Sequence, residues 1–525
     1  MAFQLGLVDV AIITVTAYFL LYMYASRYRN YWKSQNVVHE KFSLMFGPAK
    51  RLLLKPVCLS DQERYKKYGR LFGAYERGKP CLFVAEPDLI KQILVKDFQH
   101  LPNRMLQRTS NPLVDSMMVI AAAERWRTIR PATTPAFSTG KLRKMNAMIQ
   151  DCARITSTHL EEAAEKNQDI DVKWFFGHYS LDVIARCAFG TRLDSHTDST
   201  NEFVAEVNKT FSARRMSWRV LVATLFAELA RCFRFSIETD GEFEYFKNVC
   251  QRIINERRQA GHVRVTFLQL MMDAQEGTLT SDEDSSAENE NRVFEVGSET
   301  ELASANSSNR LTEIEAMAQC VLFFLAGQET TSTTIAFTAY LLALNPNVQE
   351  KLRKEVDECI AKNGPEPSFD TISKLKYLHC VVSEALRLYP PSTRLERSGY
   401  DDYVLGDTEI KLPKDGSIII PIYAMHHDPA MFPDPDGFTP ERFSDENVES
   451  IRPYSYLPFG AGPRNCIGMR LALQSVKLCL LHSLHRVQFV LTEKTKVPLK
   501  VKKGRGVLTA EDITVGIRRR PDSQV

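Results

Sequence analysis

Phe459-Gly460-Ala461-Gly462-Pro463-Arg464-Asn465-Cys466-Ile467-Gly468 is a glycine-punctuated loop that delivers one cysteine to the start of an apolar, helix-forming stretch, residues 469–481. Unpaired backbone N–H groups and the positive end of the helix dipole favour an anion there, so Cys466 is placed to be a thiolate. Arg464 adds a full positive charge two positions earlier. Gly460, Gly462 and Gly468 are expected to take φ > 0 and to let the backbone approach a flat partner with no Cβ between. A lone thiolate held in this way suits an iron ligand. A buried structural cysteine ahead of a core helix is the other reading of the same residues.

The full ten-residue pattern resembles the haem-binding signature of the cytochrome P450 monooxygenases at Phe459, Gly462, Arg464, Cys466 and Gly468. The resemblance implies a mainly α fold with small β-sheets and haem b, an iron protoporphyrin IX, with Cys466 as the axial ligand and Phe459 beside it. It extends from about residue 68 to the C-terminal region. Within the family the chain is similar to the microsomal branch that oxidises steroids and drugs and includes thromboxane synthase.

At 525 residues the chain exceeds an ordinary single-core domain, yet no internal linker separates two complete cores. A net charge of +3 with 25% charged residues gives no case for nucleic acid. The 11 cysteines are scattered singly and odd in number, with no C-x-x-C pair, which favours a reducing, cytosol-facing compartment over a disulfide framework.

Residues 5–25 are mostly apolar and just reach the roughly 20 residues needed to span a bilayer, interrupted by Asp9. Arg27, Arg29 and Lys33 follow, and Tyr22, Tyr24, Tyr28, Tyr31 and Trp32 are expected to form an interfacial aromatic belt. With no basic n-region and no A-x-A site, this reads as an uncleaved anchor rather than a signal peptide. The expected organisation is an N-terminal membrane anchor at 1–30, a linker at 31–66 and a haem-thiolate catalytic domain at 67–525. The family's proline-rich hinge after the anchor is reduced here to Gly47-Pro48.

Short apolar runs at 71–75 and 81–85, then a helical pattern at 87–96, predict a β-hairpin leading into a helix. Trp126 and Arg130, four apart, put an indole N–H and a guanidinium on one helical face, where two donors can grip a carboxylate. A buried Trp beside a solvated Arg explains the same spacing. The resemblance assigns Trp126 and Arg130 to the haem propionates and adds Arg397 and Arg464. Arg127, Arg143 and Lys144 read as a basic docking surface for an electron donor or as a solvated face.

Residues 171–194 resemble the family's helical core. Residues 218–235 mix apolar residues with arginines and fit a membrane-dipping lid or a core helix. Residues 277–310 carry eight acidic residues and few large apolar ones, the composition of a flexible surface loop.

Thr312 and Glu315 form a capping box that opens a long helix, closed by Asn345-Pro346. Its middle, residues 321–327, is nearly continuously apolar, so the helix is expected to be buried. Ala326-Gly327-Gln328-Glu329-Thr330-Thr331 is poor helix-forming material and could loosen the backbone ladder. A packing glycine with threonines bonded back to the backbone is the alternative. The resemblance places this acid–alcohol pair over the haem: Ala326 against the macrocycle, Thr330 hydrogen-bonding dioxygen, Glu329 relaying protons. Leu322, Phe324 and Leu325 would shape an apolar pocket, with Ser392 and Thr393 on its opposite wall. Glu384 and Arg387, with Arg442 by resemblance, read as a structural triad. His426-His427-Asp428 reads as turn or core, not metal.

The resemblance therefore implies an NADPH- and O2-dependent haem-thiolate monooxygenase of small lipophilic substrates of the steroid, fatty-acid or xenobiotic type. It would be anchored in the endoplasmic reticulum membrane and fed electrons by NADPH–cytochrome P450 reductase, with cytochrome b5 a second candidate donor. Two rivals stand beside it: a peroxide isomerase of the thromboxane-synthase type, and a non-catalytic haem sensor.

Overall fold

A computed structural model describes residues 26–43, 54–76, 78–104, 111–197, 202–206, 243–260, 266–280, 310–414, 416–504 and 507–520, with a few isolated positions besides. The expectations for an anchor over residues 5–25, a lid over 218–235 and a loop over 277–310 fall largely outside these residues. Among the described residues no helix is long and apolar enough to cross a membrane.

The described chain is mainly helical, with three small sheets. At its centre runs the Glu313–Leu344 helix. Its first turn is fixed by the Thr312–Glu315 capping box, in which Glu315 N–H donates to Thr312 Oγ1 while Thr312 N–H donates to Glu315 Oε2. Asn345 ends it, and Pro346 opens the next helix, where a missing N–H costs nothing. The helix is buried almost throughout because its apolar residues leave no polar stripe. It crosses the Val172–Ile184 helix at Gly327, where an added Cβ would lie 2.5 Å from Ile184 Cδ1. That glycine is a packing residue. The ladder does not break at the Gly–Thr cluster; the helix continues through it.

The hairpin of Leu71–Glu76 and Lys79–Val84 forms as expected, antiparallel. Lys79–Val84 pairs in parallel with Ser417–Ile420, which pairs antiparallel with Leu395–Arg397, completing a four-stranded sheet. The helix expected after the hairpin, Pro87–Lys91, widens into a π-helical turn at Gln92–Lys96. A second sheet joins Asp169–Asp171, Thr514–Arg519 and Val487–Val490, and closes the far end of the helical body.

Two expectations for the N-terminal region are corrected. Trp32 is not an interfacial residue: it is fully buried, its indole N–H donates to Ala74 O at 2.8 Å, and it fills the slot left by the absent side chain of Gly73. An added Cβ on Gly73 would lie 2.4 Å from the ring. Nor is 31–66 a bare linker. The Val57–Tyr68 helix begins within it and carries Asp61 and Arg64 into a buried ionic network with Glu76 and Arg394. Gln35 both donates to Lys411 O and accepts from Lys411 N, so residues 31–35 are stitched to the Tyr403–Val404 and Lys411–Leu412 ribbon. Trp32→Ala is expected to cost about 3 kcal/mol, the scale for emptying a buried aromatic site. A lowered melting midpoint and new proteolytic cleavage among the basic residues 27–41 would register it.

Candidate haem site

A cavity of about 700 Å³ lies between the long helix and the cysteine loop. The loop is held by its own backbone: Cys466 N–H donates to Phe459 O and Asn465 N–H to Gly462 O, both at 2.9 Å. Gly460 and Gly462 take φ of +73° and +70°, and a Cβ on Gly462 would sit 2.1 Å from Leu94 O in the π-helical turn. Glycine is therefore required at 462 for shape as well as for torsion. Gly468 departs from expectation: its φ is −90°, and it serves as the N-cap of the Met469–Arg486 helix. Cys466 stands just ahead of that N-terminus.

Ten cysteines are described, all free; nine are buried, and Cys466 alone among them is exposed, into the cavity. Desolvation by the surrounding protein pushes its thiol above the ordinary value, opposed by the Gly468 N–H and by Arg130 and Arg104. A bound metal cation reverses that balance by taking the thiolate directly.

Across from the loop, Ala326 is exposed in the middle of an otherwise buried helix, because it faces the cavity. Thr330 lies one turn on, its hydroxyl donating to Ala326 O at 2.7 Å, which leaves the Oγ1 lone pairs free to accept. Leu322 and Phe323 line the cavity. Phe324 does not. It points into an aromatic cluster with Phe189, Phe203 and Phe246, and Leu325 is likewise turned into the core. The helical phase falls one residue away from the expected one. Ser392 and Thr393 form part of the wall, as expected. Glu329 is absent from the lining; its carboxylate is paired with Lys173 at 3.1 Å.

The rim of the cavity is cationic. Trp126 and Arg130 face it from the Ala123–Thr133 helix, and Arg397, Arg464 and Arg104 converge there. Arg130 donates through Nη1 and Nη2 to Asn465 O and Oδ1, and Arg464 through Nη2 to Ala121 O. The Arg464 guanidinium lies 4.7 Å from the Trp126 ring centroid. Arg104 Nη2 donates to Arg464 O at 2.9 Å. Among the described residues none of these four arginines meets a carboxylate, and each keeps a buried Nε with no partner. The lining's one described carboxylate, Glu396, lies against Arg394. Desolvation pulls Arg130 down to about 10 and Arg464 to about 9. It drives Arg397 well below its usual range, with repulsion from Arg104 and Arg464 adding to it. Four desolvated cations without a protein anion form a seat for a dianion, and the two propionates of haem b fit it. A cysteine on one wall, a mostly apolar cavity and a cationic rim all suit that cofactor.

Arg104 was not legible from the sequence. It sits on irregular chain with no periodic neighbour, and only the fold brings it 360 positions along the chain to Arg464.

Behind the cysteine loop, Arg387 forks both oxygens of Glu384 at 2.8 Å, and Arg442 Nε reaches Glu384 Oε1 at 3.3 Å. Glu384 and Arg387 are fully buried. His426 links this triad to the loop: Leu457 N–H donates to its Nε2 at 3.0 Å, so its proton rests on Nδ1, facing Arg387 O. Burial holds His426 neutral, well below its ordinary pKa. Asp428 accepts from Tyr65 and Arg70. Among the described residues no group of three or more histidine, cysteine and carboxylate side chains could hold a metal ion.

Comparison with known proteins agrees with this geometry. A family model described as Cytochrome P450 matches residues 44–515. Cytochrome P450 3A41 of Mus musculus is 34% identical over 499 residues, 94% of this chain and 93% of that protein. Cytochrome P450 3A17 of Cavia porcellus is 33% identical over 92% of this chain and 91% of its own length. Cytochrome P450 3A6 of Oryctolagus cuniculus is 36% identical over 86% and 85%.

Proposed function

Because this chain belongs to the cytochrome P450 family and is a haem-thiolate monooxygenase of the drug- and steroid-oxidising type, we propose that Cys466 is its iron ligand and that NADPH supplies its electrons. The reductant would arrive through NADPH–cytochrome P450 reductase at the endoplasmic reticulum membrane, with cytochrome b5 as a second electron donor. The observation that carries the site assignment is one cavity-facing cysteine opposite a cation-rimmed slot whose arginines have no protein counter-ion among the described residues.

In the overall reaction one atom of O2 enters a C–H bond of the substrate; the other leaves as water, taking two protons and the two electrons of NADPH. When bound, the haem supplies the oxygen-activating chemistry, with thiolate donation favouring O–O cleavage. The chain supplies the rest. Arg104, Arg130, Arg397, Arg464 and Trp126 would hold the propionates, and Phe459 and Ala326 would bracket the macrocycle. Leu322, Phe323 and Val119 keep bulk water off the reacting carbon and select lipophilic substrates. Thr330, its own proton engaged by Ala326 O, offers lone pairs to a proton donor in the cavity. Glu329 is the acid we assign to proton supply. Arg127 and Lys144, both exposed, are candidates for donor docking.

Thr330→Ala is expected to keep the haem and to divert reducing equivalents to hydrogen peroxide. Product formed per NADPH, measured with reductase and a converting lipophilic substrate, should fall while NADPH oxidation continues. Unchanged coupling would remove Thr330 from the relay. Rearrangement of a lipid peroxide by protein that fails to oxidise NADPH with any reductase would favour the isomerase instead.

A further inference from the structure

The stripe of the long helix that lines the cavity runs from Gln319 through Leu322, Phe323 and Ala326 to Thr330. Gln319 is the amide in that stripe and is only 2% exposed, and a buried amide destabilises a fold unless both of its ends are bonded. Both are. Its Oε1 accepts from Met118 N–H at 3.0 Å, while its Nε2 donates to Ser116 O at 2.8 Å and to Glu315 O, one turn back in its own helix, at 3.0 Å. The Met118 N–H settles which end of the amide is oxygen. Residues 116–121 form a turn that bonds itself through Met117 O, which accepts from Ile120 and Ala121 N–H, so the Met118 N–H is left for the helix to take. From the other side Arg464 donates to Met118 O at 3.4 Å and to Ala121 O at 3.0 Å. The turn that brings Met118 and Val119 into the cavity lining is therefore strung between the long helix and the cysteine loop.

We propose that Gln319 is a positioning residue for substrate specificity: its amide clamps the backbone of Ser116 and Met118 to the long helix, and so sets how far the Met118–Val119 wall stands from Leu322 and Phe323. The inference rests on the monooxygenase reading. Both cross-chain bonds end on backbone atoms, 201 and 203 positions away, so the clamp fixes where the wall stands and leaves its side-chain chemistry to the turn. A lipophilic substrate makes few directional bonds in a mostly apolar cavity, so the shape of the walls chooses which carbon is presented. A displacement of about 1 Å can change reactivity by about 100-fold. Without the clamp, Met118 N–H and Ser116 O must find other partners, and the wall moves with them.

Two readouts test it. Hydrogen–deuterium exchange of the haem-loaded protein, followed by mass spectrometry without turnover, should quicken several-fold over residues 116–121 in Gln319→Met and keep the wild-type rate in the Met469–Arg486 helix. Unchanged exchange over 116–121 would overturn the clamp, and so would a quickening of both regions alike, which is general loosening. With reductase and NADPH, a panel of rigid steroids (testosterone, progesterone and androstenedione) reads the choice of carbon. The ratio of hydroxylated isomers should shift several-fold in Gln319→Met. Because the clamp acts through the wall, that shift should be lost where Val119→Ala has already trimmed it. A ratio unmoved by Gln319→Met, or moved equally in both backgrounds, would overturn the specificity role. Where the Met variant does not fold, Gln319→Glu, which sets a carboxylate oxygen against Ser116 O, carries the same two tests. Wild-type protein that hydroxylates no member of the panel would overturn the specificity role together with the steroid-oxidising reading, while the exchange result still judges the clamp by itself.

Discussion

Cys466→Ser is expected to abolish the thiolate signature in the Soret region of the reduced carbonyl complex, and monooxygenation with it. A serine hydroxyl has a far higher pKa than a thiol and lacks the polarisable sulfur that suits iron, so the helix terminus and the Arg130 and Arg104 charges that oppose desolvation of Cys466 have no anion to stabilise. The arginine rim is unchanged by the substitution, so residual haem is expected to bind weakly, held by propionates and slot alone. A variant that keeps both the spectrum and turnover would refute the ligand assignment. The cysteine loop would then be the structural turn that its residues also allow.

Glu384→Ala is expected to yield no haem-loaded protein at all. Glu384 is fully buried and receives bonds from Arg387, Arg442 and Thr439 N–H. Removing it leaves the fully buried Arg387 guanidinium without its carboxylate and beside the half-buried charge of Arg442, a class of change that costs about 3–5 kcal/mol. That is a large part of the roughly 5–15 kcal/mol by which a folded domain is stable. The damage does not stay local: Arg387 also donates to His426 O, and His426 accepts from Leu457 N–H, two residues before the cysteine loop begins. Haem content of the expressed protein and its melting profile measure the outcome. Glu384→Ala protein with wild-type haem content and midpoint would show that the triad is dispensable.

What could be read in advance, and what could not, divides by range along the chain. The cysteine loop, the capping box of the long helix, the Trp126–Arg130 stripe and the first hairpin are written in residues a few positions apart, where turn chemistry and periodicity act directly. Arg104 and Lys173 are not. Arg104 takes its meaning from Arg464, 360 positions away, and Lys173 from Glu329, 156 positions away, and no local pattern marks either. Trp32 shows the opposite failure: an aromatic-rich run beside basic residues fits a bilayer boundary, but Gly73 offered it a dry slot in the sheet. Phe323 and Phe324 differ by one step of helical phase, and a continuously apolar segment carries no stripe from which that phase could be taken.

The cationic rim bears on how the protein is made. Newly synthesised polypeptide must gather Arg104, Arg130, Arg397 and Arg464 into one desolvated corner, where burial and their mutual repulsion work against folding. A ligand that binds only the folded chain and brings two negative charges to that corner shifts the equilibrium by mass action. Porphyrin supply therefore becomes a determinant of cellular abundance: in haem-starved cells the chain is held in its least stable form, open to proteolysis, before any question of turnover arises.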